Sequence, residues 1–464
     1  MRRRTLLQAM AATSALLVTQ AVAGSSSPIP SGCQPGWTVV AHSPTGKRLA
    51  KPNLVACVVS TGYATSEPSL AITPRGTVVV SPAQSENSSA RSTDGGRTWQ
   101  LTQPGAQQYT SLWNTVDPNL TVDRTTGRLY LVHATGPTRT TPILVDESPL
   151  PSAASTAIAG AYGFQVYSSG DEGRTWTTAD YQTSPMTDWE KVFVGPARTG
   201  SGSVVYVCGN SPFEAAGPGR LCYRSHDQGA TFTLAGYIFP STSQRGECPV
   251  LAANNGTVGP DGTVYQPVSC SDGSYVAVSK DEGATYTWFP VPGPTGTGFA
   301  FFGQRFQIAS DASGTLYASW VDGDHLWLAS SRDGAHTWGA AMDVAVPGAH
   351  AIALSQLAAG PAGHVGLAYY AASQPRASTL TAWMTQTADG KAFISAALSD
   401  PRHPTYTDFG LSGPNPRADY IGAAFDRQGR LWAAMVRQGA RSADGASIAT
   451  LGTIGHLERL ASGH

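Results

Sequence analysis

The sequence predicts an all-β protein, a seven-bladed β-propeller of four-stranded antiparallel blades, with six blades as the alternative. Three observations predict this fold class. An octapeptide recurs along the chain, a second and independent series of glycine turns has the same count, and charged residues make up only 13% of a chain rich in turn residues, with Gly 51 and Pro 32. Repeats at intervals of about 50 residues are typical of stacked supersecondary units, so one ring can account for most of the 464 residues.

The octapeptide has the pattern Ser-x-Asp-x-Gly-x-Thr-aromatic. Five clear copies contain Asp94, Asp171, Asp227, Asp281 and Asp333, and two eroded copies contain Asp389 and Asp444. In each copy we expect a β-turn whose aspartate accepts backbone N–H groups and whose glycine takes a positive φ angle. The fifth copy departs from the pattern with Ala335 in place of the glycine.

The second repeat is an apolar run, a short turn with one glycine, and a strand rich in Val, Leu and aromatic residues. Its turn glycines are Gly76, Gly127, Gly202, Gly262, Gly314, Gly363 and Gly429. Two independent series with the same count favour seven blades over six. Because consecutive strands are antiparallel, the glycine turns and the octapeptide turns should lie on one face of the ring. The first residues of the innermost strands should then lie on the other face.

The octapeptide resembles the Asp-box, or BNR repeat, of sialidases and of several other β-propeller families. The likeness extends from about Glu67 onward, and Asp419-Tyr420-Ile421-Gly422 is similar to secreted bacterial exo-α-sialidase-like proteins. This resemblance implies a propeller fold and a sialidase-like activity. Asp-boxes lie at the blade periphery in the families that carry them, so the resemblance also implies a structural role for the aspartates of the five clear copies, Asp94, Asp171, Asp227, Asp281 and Asp333. True sialidases are six-bladed and carry an Arg-Ile-Pro motif near the first blade. This sequence has no such motif and reads Ser66-Glu67-Pro68-Ser69 in that region.

The termini and the cysteines indicate an exported protein. Residues 1–23 have a basic start, a short apolar stretch and the sequence Ala21-Val22-Ala23, which predicts a secretory signal peptide, and Arg3-Arg4 suggests the twin-arginine type. We expect residues 24–60 to form a leader with a ring-closing strand, supplied by residues 37–40 or 54–59, and residues 61–464 to form the propeller. An extracellular or periplasmic location suits six cysteines, whose simplest local pairing is Cys33–Cys57, Cys208–Cys222 and Cys248–Cys270.

Charge and motif patterns exclude several classes of function. Basic residues are scattered, which argues against a nucleic-acid partner, and no apolar run after the signal peptide reaches membrane length. Neither a CxxC nor a His/Cys metal-ligand spacing occurs, so we expect no metal and no cofactor. We expect a monomer whose partner is a glycan or polysaccharide substrate.

Ionisable residues gather just before the innermost strands, where six of the seven blades have an acid or an arginine. These residues should surround one mouth of the central channel. The candidate catalytic residues are Asp117, Asp188, Glu190, Glu247 and Tyr420, and the candidate substrate-binding residues are Glu67, Trp189, Arg245, Arg305, Arg417 and Asp419.

Such a set suits an acidic sugar. Arginines can hold a carboxylate bidentately, paired carboxylates can act as acid and base, and the resemblance to sialidases implies a tyrosine nucleophile. Three alternatives stay open: these charges pair with one another, the face binds a glycan or protein without catalysis, or the protein is a uronate lyase with a Tyr or His base. His133 could act as a base, although a hydrogen-bonded structural histidine is the favoured interpretation.

Overall fold

The structure is a computed structural model of the chain. It describes residues 33–34, 38–65, 67–83, 88–104, 113–114, 118–136, 163–179, 182–184, 188–211, 219–239, 248, 255–270, 272–293, 306–375, 379–399, 405–406, 421–441 and 447–456. Within these ranges every regular element is a β-strand, so the fold is all-β as predicted. Across the same residues, no helix has the length and apolar character that a membrane crossing requires.

The described residues form 33 strands in order. Three N-terminal strands come first: β1 Cys33–Gln34, β2 Val39–His42 and β3 Leu54–Ala64. Four strands form sheet 1: β4 Ser69–Ile72, β5 Val78–Ser81, β6 Ser89–Ser92 and β7 Gln100–Thr102. Sheet 2 contains β8 Trp113–Asn114, β9 Asn119–Val122, β10 Leu129–Gly136, β11 Gly163–Ser169, β12 Thr177–Thr178 and β13 Gln182–Thr183.

Sheet 3 contains β14 Asp188–Pro196, β15 Ser203–Ser211, β16 Gly219–Ser225 and β17 Thr233–Phe239. Sheet 4 contains β18 Thr257–Val258, β19 Val264–Cys270, β20 Gly273–Ser279 and β21 Thr287–Pro290. Sheet 5 contains β22 Gln307–Ser310, β23 Leu316–Asp322, β24 His325–Ser331 and β25 Met342–Asp343. Sheet 6 contains β26 His350–Ala359, β27 Val365–Ala372, β28 Thr379–Thr387, β29 Phe393–Ala397 and β30 Thr405–Tyr406. Sheet 7 contains β31 Gly422–Phe425, β32 Leu431–Arg441 and β33 Ser447–His456.

The architecture is a propeller of antiparallel sheets whose basic unit has four strands in chain order. The innermost strands β4, β9, β14, β18, β22, β26 and β31 each contact the next one along the chain, and β31 contacts β4. The apolar core lies between neighbouring sheets. For example, Leu70 and Val80 of sheet 1 pack with Trp432 of sheet 7. Each sheet therefore buries its two faces against its two neighbours.

The N-terminal strands join the two ends of the ring. β3 lies beside β33, with Val55 opposite Gly455, and thus adds the N-terminal segment to the sheet made by the last strands of the chain. β1 pairs with the outer side of β3, and β2 pairs with β29 of sheet 6. These pairings cover strand edges that would otherwise be exposed.

The octapeptide turns have the predicted geometry in the six copies that lie among the described residues, and Asp444 lies outside them. In the first copy Asp94 Oδ1 accepts the backbone N–H groups of Arg97 and Thr98 at 3.0 Å each, and Thr98 Oγ1 donates to Oδ2 at 2.6 Å. Gly96 has a φ angle of 85°. The fifth copy keeps this conformation without a glycine, since Ala335 has a φ angle of 76°. The hydrogen bonds of the aspartate thus hold the turn in place even where a residue other than glycine has a positive φ angle.

The glycine turns and the octapeptide turns lie on the same face, as predicted. All seven turn glycines have positive φ angles between 74° and 101°. Thr73, in the glycine turn of sheet 1, donates to Glu172 of the octapeptide turn in sheet 2. The same contact recurs where the backbone N–H of Arg198 donates to Glu282 Oε1 at 3.0 Å. Each such contact fastens one sheet to the next.

Three disulfides connect the cysteines, in the predicted pairs Cys33–Cys57, Cys208–Cys222 and Cys248–Cys270. Two of the pairs are directly opposite each other on neighbouring strands. This chemistry is consistent with an oxidising compartment.

Candidate functional site

Three of the predicted site residues have described side chains: Glu67, Trp189 and Glu190. Asp188 is described as the first residue of β14, by its backbone alone. The other predicted residues lie outside the described residues: Asp117, Arg245, Glu247, Arg305, Arg417, Asp419 and Tyr420. The structure brings Asp188, Trp189 and Glu190 together at the start of β14. Glu67 precedes β4, the innermost strand of sheet 1, two sheets away.

The start of β14 is a β-bulge. Asp188 lies opposite Asn210 and Lys191 lies opposite Cys208, so Trp189 and Glu190 together face one residue of β15. Trp189 has a φ angle of 54°, in the left-handed region that a bulky side chain rarely adopts. Such a conformation costs on the order of 1–3 kcal/mol and persists only where the surroundings impose it. Bulges and strained residues concentrate next to functional sites.

Charged side chains are buried at this bulge. Glu190 is 0% exposed, Lys191 is 3% exposed, and Trp189 is 3% exposed. The Lys191 Nζ lies 5.1 Å from the centre of the Trp189 ring, which is within the range of a cation–π interaction. Burying a charge is costly unless other groups compensate it, so two neighbouring ionisable residues are rarely buried in a protein unless they have a specific role.

A buried arginine lies in the same part of sheet 3. Arg220 is 0% exposed, and its Nη1 donates to Asn210 Oδ1 at 3.0 Å. Asn210 is paired in register with both Asp188 and Arg220, so these three positions form one row across the sheet. Burial lowers the pKa of Arg220 to about 10, which leaves the guanidinium charged at neutral pH. The start of sheet 3 therefore contains both signs of charge away from bulk water.

The first residues of several innermost strands have a structural role. Ser69 Oγ accepts the backbone N–H of Leu120 at 2.9 Å, and Asn119 Oδ1 accepts that of Val192 at 2.9 Å. In the same way Gln307 Oε1 accepts the N–H of Leu357 at 2.7 Å. Each bond joins one innermost strand to the next. The sequence analysis missed these residues, although a polar residue at the start of each apolar run was the available signal.

The innermost strands enclose a central channel with a cavity of about 540 Å³. All seven sheets contribute to its wall, from Asn119 and Lys191 near the strand starts to Arg124 and Asp311 in the glycine turns. A cavity of this size lies within the range of small-molecule sites. The bulge at β14 thus adjoins a space that a sugar residue could enter.

His133 lies near the end of β10 and is buried between sheets 1 and 2. Its ring stacks edge-on against Tyr167, with centroids 5.2 Å apart. Among the described residues neither ring nitrogen has a hydrogen-bond partner, so the expectation of a hydrogen-bonded histidine is wrong. Burial lowers the pKa of His133 to about 4 and keeps the ring neutral. Gln165 lies opposite His133 on β11, but its amide donates to Ala179 and accepts from Tyr167. Leu131 on the same strand face as His133 packs into the apolar cluster of these sheets.

Metal ligands do not cluster in the part of the chain that the structure describes. No group of three or more His, Cys, Asp or Glu residues there could hold a metal ion.

Comparison with known proteins gives matches in three-dimensional structure only. No protein-family model matches the chain, and no curated protein sequence matches it either. A Hadza microbial sialidase matches over 72% of this chain and 66% of its own length, just under two thirds, with 17% identity and a TM-score of 0.43. A leech intramolecular trans-sialidase matches over 88% of this chain and 70% of its own length, with 15% identity and a TM-score of 0.42.

A third match is of a different kind. Virginiamycin B lyase from Staphylococcus aureus matches over 86% of this chain and 99% of its own length, with 11% identity and a TM-score of 0.43. At identities and TM-scores this low, none of the three matches carries an argument about activity or site. The fold described above rests on the sheets of this chain itself.

Proposed function

We propose that this protein is a secreted, sialidase-like glycoside hydrolase that acts on a glycan with an acidic sugar at the mouth of the central channel. Glu190 is the proposed acid or base at the described part of the site, and Trp189 and Lys191 are the proposed sugar-binding groups beside it. Asp188, Asp117, Glu247 and Tyr420 are proposed as further catalytic residues. Glu67, Asp419 and the three arginines Arg245, Arg305 and Arg417 are proposed as further binding residues.

The observation that supports the proposal is the strained and charged start of β14. A bulge, a left-handed tryptophan and a buried Glu190–Lys191 sequence occur together beside the channel cavity. A strand that only filled the ring would need none of these features, because alternating apolar residues are sufficient for packing. Strain and buried charge in one place, next to a cavity, are typical of functional sites.

Noncatalytic binding is the second candidate, and burial favours it. Glu67 is 6% exposed and Glu190 is 0% exposed, so both carboxylates lie inside the protein. A hydrolase needs its acid and base within hydrogen-bond reach of the glycosidic oxygen and the water. A carboxylate that only holds neighbouring residues of the channel mouth in place for binding needs no access to the glycosidic oxygen or to the water.

One experiment separates these functions. Purified protein is incubated with sialosides, uronic-acid polymers and neutral glycans, while reducing ends and ultraviolet absorbance are followed. Hydrolysis gives reducing ends alone, a lyase also gives absorbing unsaturated products, and a binding protein gives neither. We expect Glu190→Gln to lower hydrolysis by about 100-fold or more, the usual contribution of a general acid or base.

The matched control is Asp272→Asn, which changes an exposed carboxylate in the turn between β19 and β20. We expect this variant to keep full activity. Equal activity of both variants would remove Glu190 from the mechanism, and binding without turnover on every glycan would support the second candidate.

We further propose that all seven sheets are blades of a single propeller. The support is the closed series of contacts among the seven innermost strands and the contribution of every sheet to the channel wall. Radial averaging of single-particle electron-microscopy images along the channel axis would give the rotational order directly. Six radial densities would contradict this assignment.

A further inference from the structure

Arg124 extends across the central channel. It follows β9 in the glycine turn of sheet 2, and its Nη2 donates to the backbone carbonyl of Ala359 in sheet 6 at 2.6 Å. The two residues are 235 positions apart in the chain. Arg124 lines the channel cavity and keeps exposed surface within it. The guanidinium therefore lies inside the channel, at the end opposite the bulge of β14.

The charge of Arg124 has no direct ionic partner among the described residues. A guanidinium has five N–H donors, and the only acceptor found for it in that part of the chain is the Ala359 carbonyl. Asp123 and Asp311, the acidic residues that line the same cavity, already accept other hydrogen bonds. Asp123 accepts from Thr125, Thr126 and Ser203.

Asp311 is used more fully. Its Oδ1 accepts the backbone N–H and hydroxyl of Ser313 and the N–H of Thr315, and its Oδ2 accepts the hydroxyl of Tyr317 and the N–H of Gly363. Enclosure by the protein lowers the pKa of Arg124, while the charge of Asp311 acts in the opposite direction. A cation that faces the channel with unused donors is favourable for an anion, because guanidinium bonds to oxyanions are strong.

We propose that the glycine-turn end of the channel is an anion-binding site in which Arg124 holds a carboxylate or an inorganic oxyanion. The remaining N–H donors of the guanidinium form a fork that matches two oxygens of such a group. The bond to Ala359 fixes the side chain across the channel before the anion binds, so little side-chain entropy is lost on binding. The site is independent of the proposed hydrolase activity at the other end of the channel.

The test uses sulfate and acetate as probes and titrates each into the full-length protein by calorimetry in a low-salt, chloride-free buffer. We expect saturable binding of one anion per protein molecule. Arg124→Gln should weaken it about tenfold or more, because glutamine carries no charge and has only two N–H donors. The control is Arg128→Ala, which removes a cation from the same turn. Arg128 donates a hydrogen bond to Ser168 and does not line the channel. This control should bind like the unchanged protein.

Two results would overturn the proposal: no saturable binding of either anion to the unchanged protein, or equal affinity in Arg124→Gln. Circular dichroism of each variant checks that it is folded, and Arg124→Ala gives a second variant if the glutamine variant is not. Binding of sulfate alone identifies an oxyanion site, and binding of acetate as well identifies a carboxylate site. No glycan is present in these titrations, so their outcome does not depend on the test of Glu190.

Discussion

Gly96 is the position where the octapeptide turn of sheet 1 meets the ring-closing strand, and its replacement by alanine tests that contact. A Cβ atom at Gly96 would lie 2.6 Å from Val59 Cγ2 on β3. The residue also has a φ angle of 85°, which alanine adopts with strain. The preceding glycine is a matched control, because Gly95 has a φ angle of 71° and a Cβ there would meet nothing within 4 Å.

The two variants share the backbone strain and differ in the collision. Left-handed strain costs about 1–2 kcal/mol, partly offset by the lower entropy of alanine in the unfolded chain, so Gly95→Ala should lower the free energy of unfolding by about 1 kcal/mol. Overpacking adds about 1–3 kcal/mol, so Gly96→Ala should lower it by about 3 kcal/mol. Val59→Ala removes the colliding methyl group and should recover about 2 kcal/mol when combined with Gly96→Ala.

The assay is denaturant unfolding followed by tryptophan fluorescence, with the three single variants and the Gly96→Ala/Val59→Ala pair as a double-mutant cycle. Equal losses for Gly95→Ala and Gly96→Ala would refute the collision. Additive losses in the cycle would show that β3 does not pack on this turn.

Two further predictions concern stability. His133 has a pKa lowered to about 4 in the folded protein from an ordinary value of 6.5, so the unfolded chain binds the proton more readily and stability falls as the pH drops from about 6.5 to 4. The loss amounts to about 3 kcal/mol, and unfolding curves of His133→Leu over this range should lack that part of the slope. The Cys208–Cys222 disulfide closes a segment with a sequence separation of 14, so its replacement by two alanines should lower the free energy of unfolding by about 2–4 kcal/mol. Unchanged urea midpoints for the cysteine variant would contradict this estimate.

The sequence predicted the parts of the fold that depend on local pattern. The turn around Asp94 could be derived from eight residues, because the carboxylate, the glycine and the threonine interact within four positions of each other. The pairing of Cys208 with Cys222 followed from their flanking a single loop. The hydrogen-bonding role of Asn119 was missed, since its partner Val192 lies 73 residues away on another sheet.

The candidate site was less accessible to sequence reasoning. The sequence marked Trp189 and Glu190 as polar and aromatic residues before a strand, but it gave no sign of the bulge or of the left-handed φ angle of Trp189. Both depend on the register between β14 and β15, which is set by pairing along the whole length of the strands. The lack of a hydrogen-bond partner for His133 among the described residues also follows from packing of sheet 2 on sheet 1, and no local pattern predicts it.

By itself, the sequence determined the repeating unit of this protein: strands of fixed spacing, turns closed by aspartate and glycine, and cysteines placed for local pairing. These features follow from interactions between residues a few positions apart. The tertiary structure alone decided how the ring closes through β3 and β33, and which groups the channel encloses. The contact of Arg124 with Ala359 shows the physical reason, because two residues 235 positions apart meet only after the sheets have closed around a common axis.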